Sequence, residues 1–78
     1  MKLPRDVSGA QMIRAVEALG YEVIRQKGSH VRLKHPGPPA HLITIPNHHA
    51  MKIGTLHAII SDVANARAIS TESLIEML

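Results

Sequence analysis

The local signals along this chain predict an α+β fold in the order α-β-β-β-α, with a short further helix at the C-terminal end. Three observations carry this. Apolar residues recur at helical spacing in two stretches, Met12 to Leu19 and Leu56 to Val63. Between them lie three short runs of β formers, set apart by a glycine turn and a proline-rich connection. With 78 residues the chain is sized for a single domain, residues 1–78, that buries roughly 60% of its unfolded surface around one core. Three consecutive short strands with short links form an antiparallel sheet, and both main helices cover one face of it.

Leu3 to Val7 is a lead-in containing a proline. Ser8 followed by Gln11 matches a capping box, which starts the first helix at Gly9. Met12, Ile13, Val16 and Leu19 make its apolar stripe, and Gly20 supplies the stop, so the helix spans Gly9 to Leu19. Tyr21 to Gln26 is the first strand; Val23 and Ile24 are both apolar and leave its inward face open. Lys27-Gly28-Ser29 forms the turn, where glycine can take the positive φ of a tight hairpin. The second strand runs from His30 to Lys34. His35 to Ala40 contains three prolines, which cannot donate to a ladder, so this stretch is an exposed loop. The third strand covers His41 to Ile45 and ends at Pro46. Asn47 to Lys52 connects to a second helix from Gly54 to Ala64, with Leu56, Ile59, Ile60 and Val63 facing the core. Asn65 to Ile69 breaks the pattern. Ser70 or Thr71 caps a last helix whose apolar side is Leu74, Ile75 and Leu78, either core cover or partner surface.

Composition narrows the chemistry. The formal net charge is +3 and the pI about 9.8, which favours an anionic partner, nucleic acid first. From Val23 to Ser61 there is no Asp or Glu, yet this span holds all six histidines together with Arg25, Lys27, Arg32, Lys34 and Lys52. Tyr21 is the sole aromatic residue, so stacking of single-stranded bases on several rings is excluded. No helix-turn-helix spacing or basic recognition helix is visible. The chain has no cysteine, no pair of histidines spaced along one helix face, and no carboxylate within the basic span to complete a shell; no metal or cofactor is expected. No apolar run approaches the ~18 residues of a membrane span, and Met1 to Asp6 lacks the apolar core of a signal peptide, so a cytoplasmic protein is expected.

Alternation in the second strand sends His30, Arg32 and Lys34 to one face and Val31 and Leu33 to the other. An imidazole in line with two cations, entered through a glycine turn, is suited to hold and attack a phosphate. Histidine titrates near neutral pH and so can move a proton. His30 is therefore the catalytic candidate. Gly28 and Ser29 either bring backbone N–H groups close to phosphate or simply make the hairpin. Lys52 precedes a helix N-terminus, whose free N–H groups attract phosphate. His35, His41 and His57 read as surface residues.

Specific fragments in this order resemble one family. They are Leu3-Pro4, Ser8-Gly9, Leu19-Gly20-Tyr21, Arg25-Gln26-Lys27-Gly28-Ser29-His30, Pro46 with His48, and Lys52 with Gly54-Thr55-Leu56. The chain resembles the HicA toxins, also called YcfA-like proteins, which are small messenger-RNA interferases of type II toxin–antitoxin systems. The resemblance implies a fold like the double-stranded-RNA-binding domain, metal-independent endonucleolytic cleavage of messenger RNA, and neutralisation by a HicB-type antitoxin. It implies that the histidine of Gly-Ser-His, here His30, is catalytic. It marks His48 for the second proton transfer or for phosphate contact. The RNA-binding candidates are then Lys27, Gly28, Ser29, Arg32, Lys34, His48 and Lys52. Two features depart from the family pattern: Ile53 where members often have proline, and the proline-rich His35 to Ala40 loop. A non-catalytic RNA-binding module of the same fold is the second reading.

Overall fold

The computed structural model describes residues 1–78 as α1 (Gly9–Ala18), β1 (Glu22–Lys27), β2 (His30–His35), β3 (His41–Pro46), α2 (Ile53–Arg67) and α3 (Thr71–Glu76). The strands form one antiparallel sheet in the order β1-β2-β3. Val31, Leu33, Ile43 and Ile45 project from one face of β2 and β3 into a core shared with Met12 and Val16 of α1 and Leu56, Ile60 and Val63 of α2. The opposite face carries no helix. The α-β-β-β-α order and the one-sided helical layer are those expected from the sequence.

The capping box forms in full. The Ser8 backbone N–H donates to Gln11 Oε1 at 2.9 Å, and the Gln11 N–H donates to Ser8 Oγ at 3.1 Å. These bonds satisfy two amides that α1 cannot satisfy internally. At the other end Gly20 takes φ +104°, the conformation expected of a helix-stopping glycine. Tyr21 falls outside β1: its N–H donates to Val16 O at 3.0 Å, and its ring is buried in the core. Ile13 and Leu19 are only partly buried, at the margin of the stripe that Met12 and Val16 centre.

β1 contains an irregularity. Val23 pairs with Leu33 and Arg25 with Arg32, so Ile24 has no partner and forms a bulge. The extra residue reverses the alternation. Val23 lies on the inner side opposite Leu33, yet Arg25 and Lys27 emerge on the outer side opposite Arg32 and His30. β1 is an edge strand with every residue exposed, Val23 and Ile24 included.

α2 runs past the expected break at Asn65 and continues to Arg67. Asn65, Ala66 and Arg67 contain no helix breaker, and Ala66 and Arg67 are half-buried in the extra turn. The helix stops because Ala68 adopts the left-handed region at φ 54°. Its N–H and that of Ile69 close back on the carbonyls of Ala64 and Asn65. Ser70 caps α3 by accepting the Ser73 N–H at 3.0 Å. Leu74 is fully buried, so α3 serves as core cover. No helix is long and apolar enough to cross a membrane.

Candidate functional site

The β1–β2 hairpin closes through Gly28 and Ser29, with Lys27 directly opposite His30. Gly28 sits at φ +59°, and nothing lies within 4 Å of where a Cβ would be, so backbone conformation rather than crowding asks for glycine. Along β2 the alternation is as expected: Val31 and Leu33 are buried, and His30, Arg32 and Lys34 are exposed. The bulge in β1 adds Arg25 to this outer face, and the β2–β3 register places Thr44 beside Arg32. Arg25, Lys27, His30, Arg32 and Thr44 together line an open hollow of about 220 Å³ with no hydrophobic wall. No Lys or Arg in the molecule is paired with a carboxylate, and no carboxylate lines the hollow. Its cations are therefore uncompensated by the protein. In water-exposed form such a cluster attracts polyanions.

A second element is locked against the hairpin tip. The Asn47 N–H donates to Ser29 O at 2.7 Å, and the Gly9 N–H donates to His48 O at 2.9 Å. A Cβ on Gly9 would come within 2.2 Å of Pro46 O and 2.6 Å of Asn47 Cα, so only glycine permits this approach of α1 to the loop. Met51, buried, ties the far end of the loop through its N–H to Val7 O at 2.8 Å. Held between these anchors, His48 brings Nε2 to 3.3 Å from Ser29 Oγ, one residue from His30. Two imidazoles thus flank the same exposed corner.

The remaining sequence candidates divide. Lys27, Gly28, Ser29, His30, Arg32 and His48 come together at the hairpin and its hollow. Lys34 points the same way but sits one row further along, opposite Glu22 on β1 and Leu42 on β3. Lys52 occupies the N-cap of α2, exposed and outside the hollow. The Leu56 N–H reaches Lys52 O at 3.0 Å, while the amides of Ile53, Gly54 and Thr55 precede the first helical bond. His49 and His57 are exposed. Three contributors were not singled out by sequence. Thr44 was readable in principle, since Ile43 and Ile45 point inward. Arg25 was hidden by the bulge, and Gly9 by its identity as an ordinary first helical residue.

His35 and His41 are half-buried and hydrogen-bonded, where the sequence reading expects surface residues. Both fall on the inner face of the sheet at the end away from the hairpin, because Val31, Leu33 and His35 share one parity, as do His41, Ile43 and Ile45. Tyr21 O–H bonds His41 Nδ1 at 2.6 Å, and His41 Nε2–H reaches Asp62 Oδ1 at 3.2 Å. His35 Nε2–H donates to Leu19 O at 3.0 Å, while its Nδ1 accepts the Gly37 N–H at 2.9 Å and a bond from Arg67. Arg67 also bonds Pro39 O and stacks its guanidinium 5.7 Å from the Tyr21 ring centroid. Burial raises the Tyr21 phenol above its ordinary range, with Arg67 opposing and Asp62 adding to the rise. The proline-rich loop is thereby pinned to α2 rather than free.

No curated protein and no solved structure matches the chain. A family described as HicA toxin of bacterial toxin–antitoxin systems matches residues 9–64, a stretch that begins at the Gly9 clamp and takes in the hairpin, the hollow, the His48 loop and most of α2. With most of its 78 residues so matched, the chain belongs to the HicA toxin family and is the toxin of a toxin–antitoxin pair, with a cognate antitoxin as its partner.

Proposed function

We propose that this toxin is a metal-independent endoribonuclease that cleaves messenger RNA in the cytoplasm and so inhibits translation, with His30 as a catalytic residue. The observation that supports this best is the hollow of Arg25, Lys27, His30, Arg32 and Thr44, which presents an imidazole among cations with no carboxylate. Cleavage by the ribose 2′-hydroxyl needs a base for its proton, positive charge on the phosphoryl oxygens, and an acid for the departing 5′-oxygen. His30 takes one proton role. His48, across the Ser29 hydroxyl, takes the other or holds the phosphate. The 2′-oxygen bonds to phosphorus as the P–O5′ bond breaks, giving a 2′,3′-cyclic phosphate and a free 5′-hydroxyl. Lys27, opposite His30, offsets the charge that builds on phosphorus, Arg32 holds the RNA backbone beside it, and Gly28 and Ser29 shape the approach. Lys34 and the N-terminus of α2 with Lys52 extend the binding surface beyond the hollow. Positioned proton transfer contributes about 10²–10⁴-fold.

The antitoxin, of HicB type, neutralises the toxin by covering this basic face. The test is cleavage of RNA in EDTA by the wild type and by His30→Ala, with circular dichroism on both. Cleavage by the wild type and a loss of about 10²-fold or more in a folded variant is expected. Equal salt-dependent RNA binding by both proteins with cleavage by neither would instead make the chain an RNA-binding module without catalysis.

A further inference from the structure

The hollow is longer than one phosphate needs. On the outer face of the sheet, Lys27, His30 and Pro46 form one cross-strand row, and Arg25, Arg32 and Thr44 form the next. Rows two residues apart on a strand are separated by about 7 Å, close to the spacing of successive phosphates along a nucleic-acid strand. The second row is also expensive to the free protein. Arg25 and Arg32 are direct cross-strand partners, and like charges so placed repel. Neither has an ion pair or side-chain hydrogen bond in the protein to relieve it; the nearest carboxylate along β1, Glu22, faces Lys34 instead. The pairing exists only because the bulge at Ile24 turns Arg25 outward.

From this geometry we infer a second phosphate subsite, formed by Arg25, Arg32 and Thr44, which binds the phosphate adjacent to the one at His30. The inference deepens the proposed function and rests on it for which phosphate is cleaved. The ligand class is a strand with two successive phosphodiesters, read through its backbone. The two guanidiniums offer planar, paired donors suited to phosphate oxygens, and the Thr44 hydroxyl adds a neutral donor from β3. No hydrophobic residue lines the subsite, and its side chains offer polar donors to the strand. It fixes the register of the chain on the sheet and so sets which ribose reaches His30. Arg25 and Thr44 are positioning residues for the reaction.

The test does not depend on turnover. Calorimetric titration of the full chain with adenosine 3′,5′-bisphosphate and with adenosine 3′-monophosphate compares two phosphates with one on the same nucleoside. The wild type is expected to bind the bisphosphate more tightly by about tenfold or more. Arg25→Gln and, independently, Thr44→Val bring the ratio towards one; Arg14→Gln, an equal loss of charge on exposed α1, leaves it unchanged. Arg25→Gln should also raise the melting temperature of the free protein, because it relieves the repulsion with Arg32. Thr44→Val guards against a folding defect in the charge variant. A wild-type ratio near one, or a ratio that Arg25→Gln and Thr44→Val leave intact, overturns the subsite. Because the ratio is measured without cleavage, an intact ratio in a protein that cleaves no RNA would defeat the nuclease reading and leave the subsite standing. Cleavage with a ratio near one would do the reverse.

Discussion

At the scale of single residues, the placement of His48 depends on a glycine at the start of α1. Gly9 opens α1, where any small residue serves a helix start, yet its missing Cβ is what lets Pro46 and Asn47 pass. That contact carries the bond from the Gly9 N–H to His48 O, and so sets the position of the His48 ring beside Ser29. Gly9→Ala forces backbone apart rather than a flexible side chain, so it should destabilise by about 1–3 kcal/mol. It should also depress RNA cleavage as far as His48→Ala does, because both remove the same imidazole from the hairpin corner. Melting curves and cleavage rates of the two variants check this; a Gly9→Ala protein that is less stable but fully active would show that the clamp does not position His48. Gly28 differs in kind. Its neighbourhood is empty, and only its φ of +59° matters. Gly28→Asn is therefore tolerated, while Gly28→Val pays roughly 1–2 kcal/mol for the left-handed backbone.

At the scale of elements, the end of α2 carries a removable cost. Ala68 stands in the left-handed region at the first residue past the helix, the position where glycine is usual. Ala68→Gly should stabilise the fold by about 1 kcal/mol, which for a domain of this size raises the melting temperature by roughly 4–8 °C. Thermal unfolding monitored by circular dichroism measures it, and an unchanged midpoint would mean that the cap is not strained. The same residue explains what was and was not legible. Both helical stripes were readable because period 3.6 repeats over several turns, and β2 because its alternation is unbroken from His30 to Lys34. The end of α2 was not, since a helix stopped by alanine leaves no glycine or proline to read. The bulge was not, since Val23-Ile24 suits either face and the choice is made downstream by the register that the Gly28 turn imposes. His30 could be found from its own strand. Arg25 needed the register, and His35 and His41 needed Asp62 and Arg67, which are distant in sequence and close only once α2 packs.

At the scale of the whole molecule, the polar groups are sorted to two ends of one sheet. The hairpin end leaves its cations unpaired, while the other end links Tyr21, His35, His41, Asp62 and Arg67 to one another and to nearby backbone. The second cluster ties α2 to the sheet and the proline-rich loop, so stability and function should separate under mutation. Tyr21 provides the probe. Its phenol is buried against His41 and Arg67, and burial, the dominant cause, holds it above the ordinary range. The neutral phenol is the folded form, whereas the unfolded chain ionises near pH 10. The stability that this shift contributes is then complete below about pH 10 and is lost as pH climbs through the higher folded-state value, at no more than about 1.4 kcal/mol per pH unit. Tyr21→Phe removes both that alkaline loss and the 2.6 Å bond to His41 Nδ1. The variant should be less stable than the wild type by about 1–3 kcal/mol near neutral pH, and the gap should narrow as pH rises beyond about 10. Cleavage near neutral pH should be unchanged in the folded protein, because Tyr21 lies on the inner face and the hollow on the outer. Denaturant unfolding of both proteins across the alkaline range decides the matter. A gap that stays constant with pH would show that the Tyr21 phenol titrates alike folded and unfolded, and that the cluster's hold on it is packing alone.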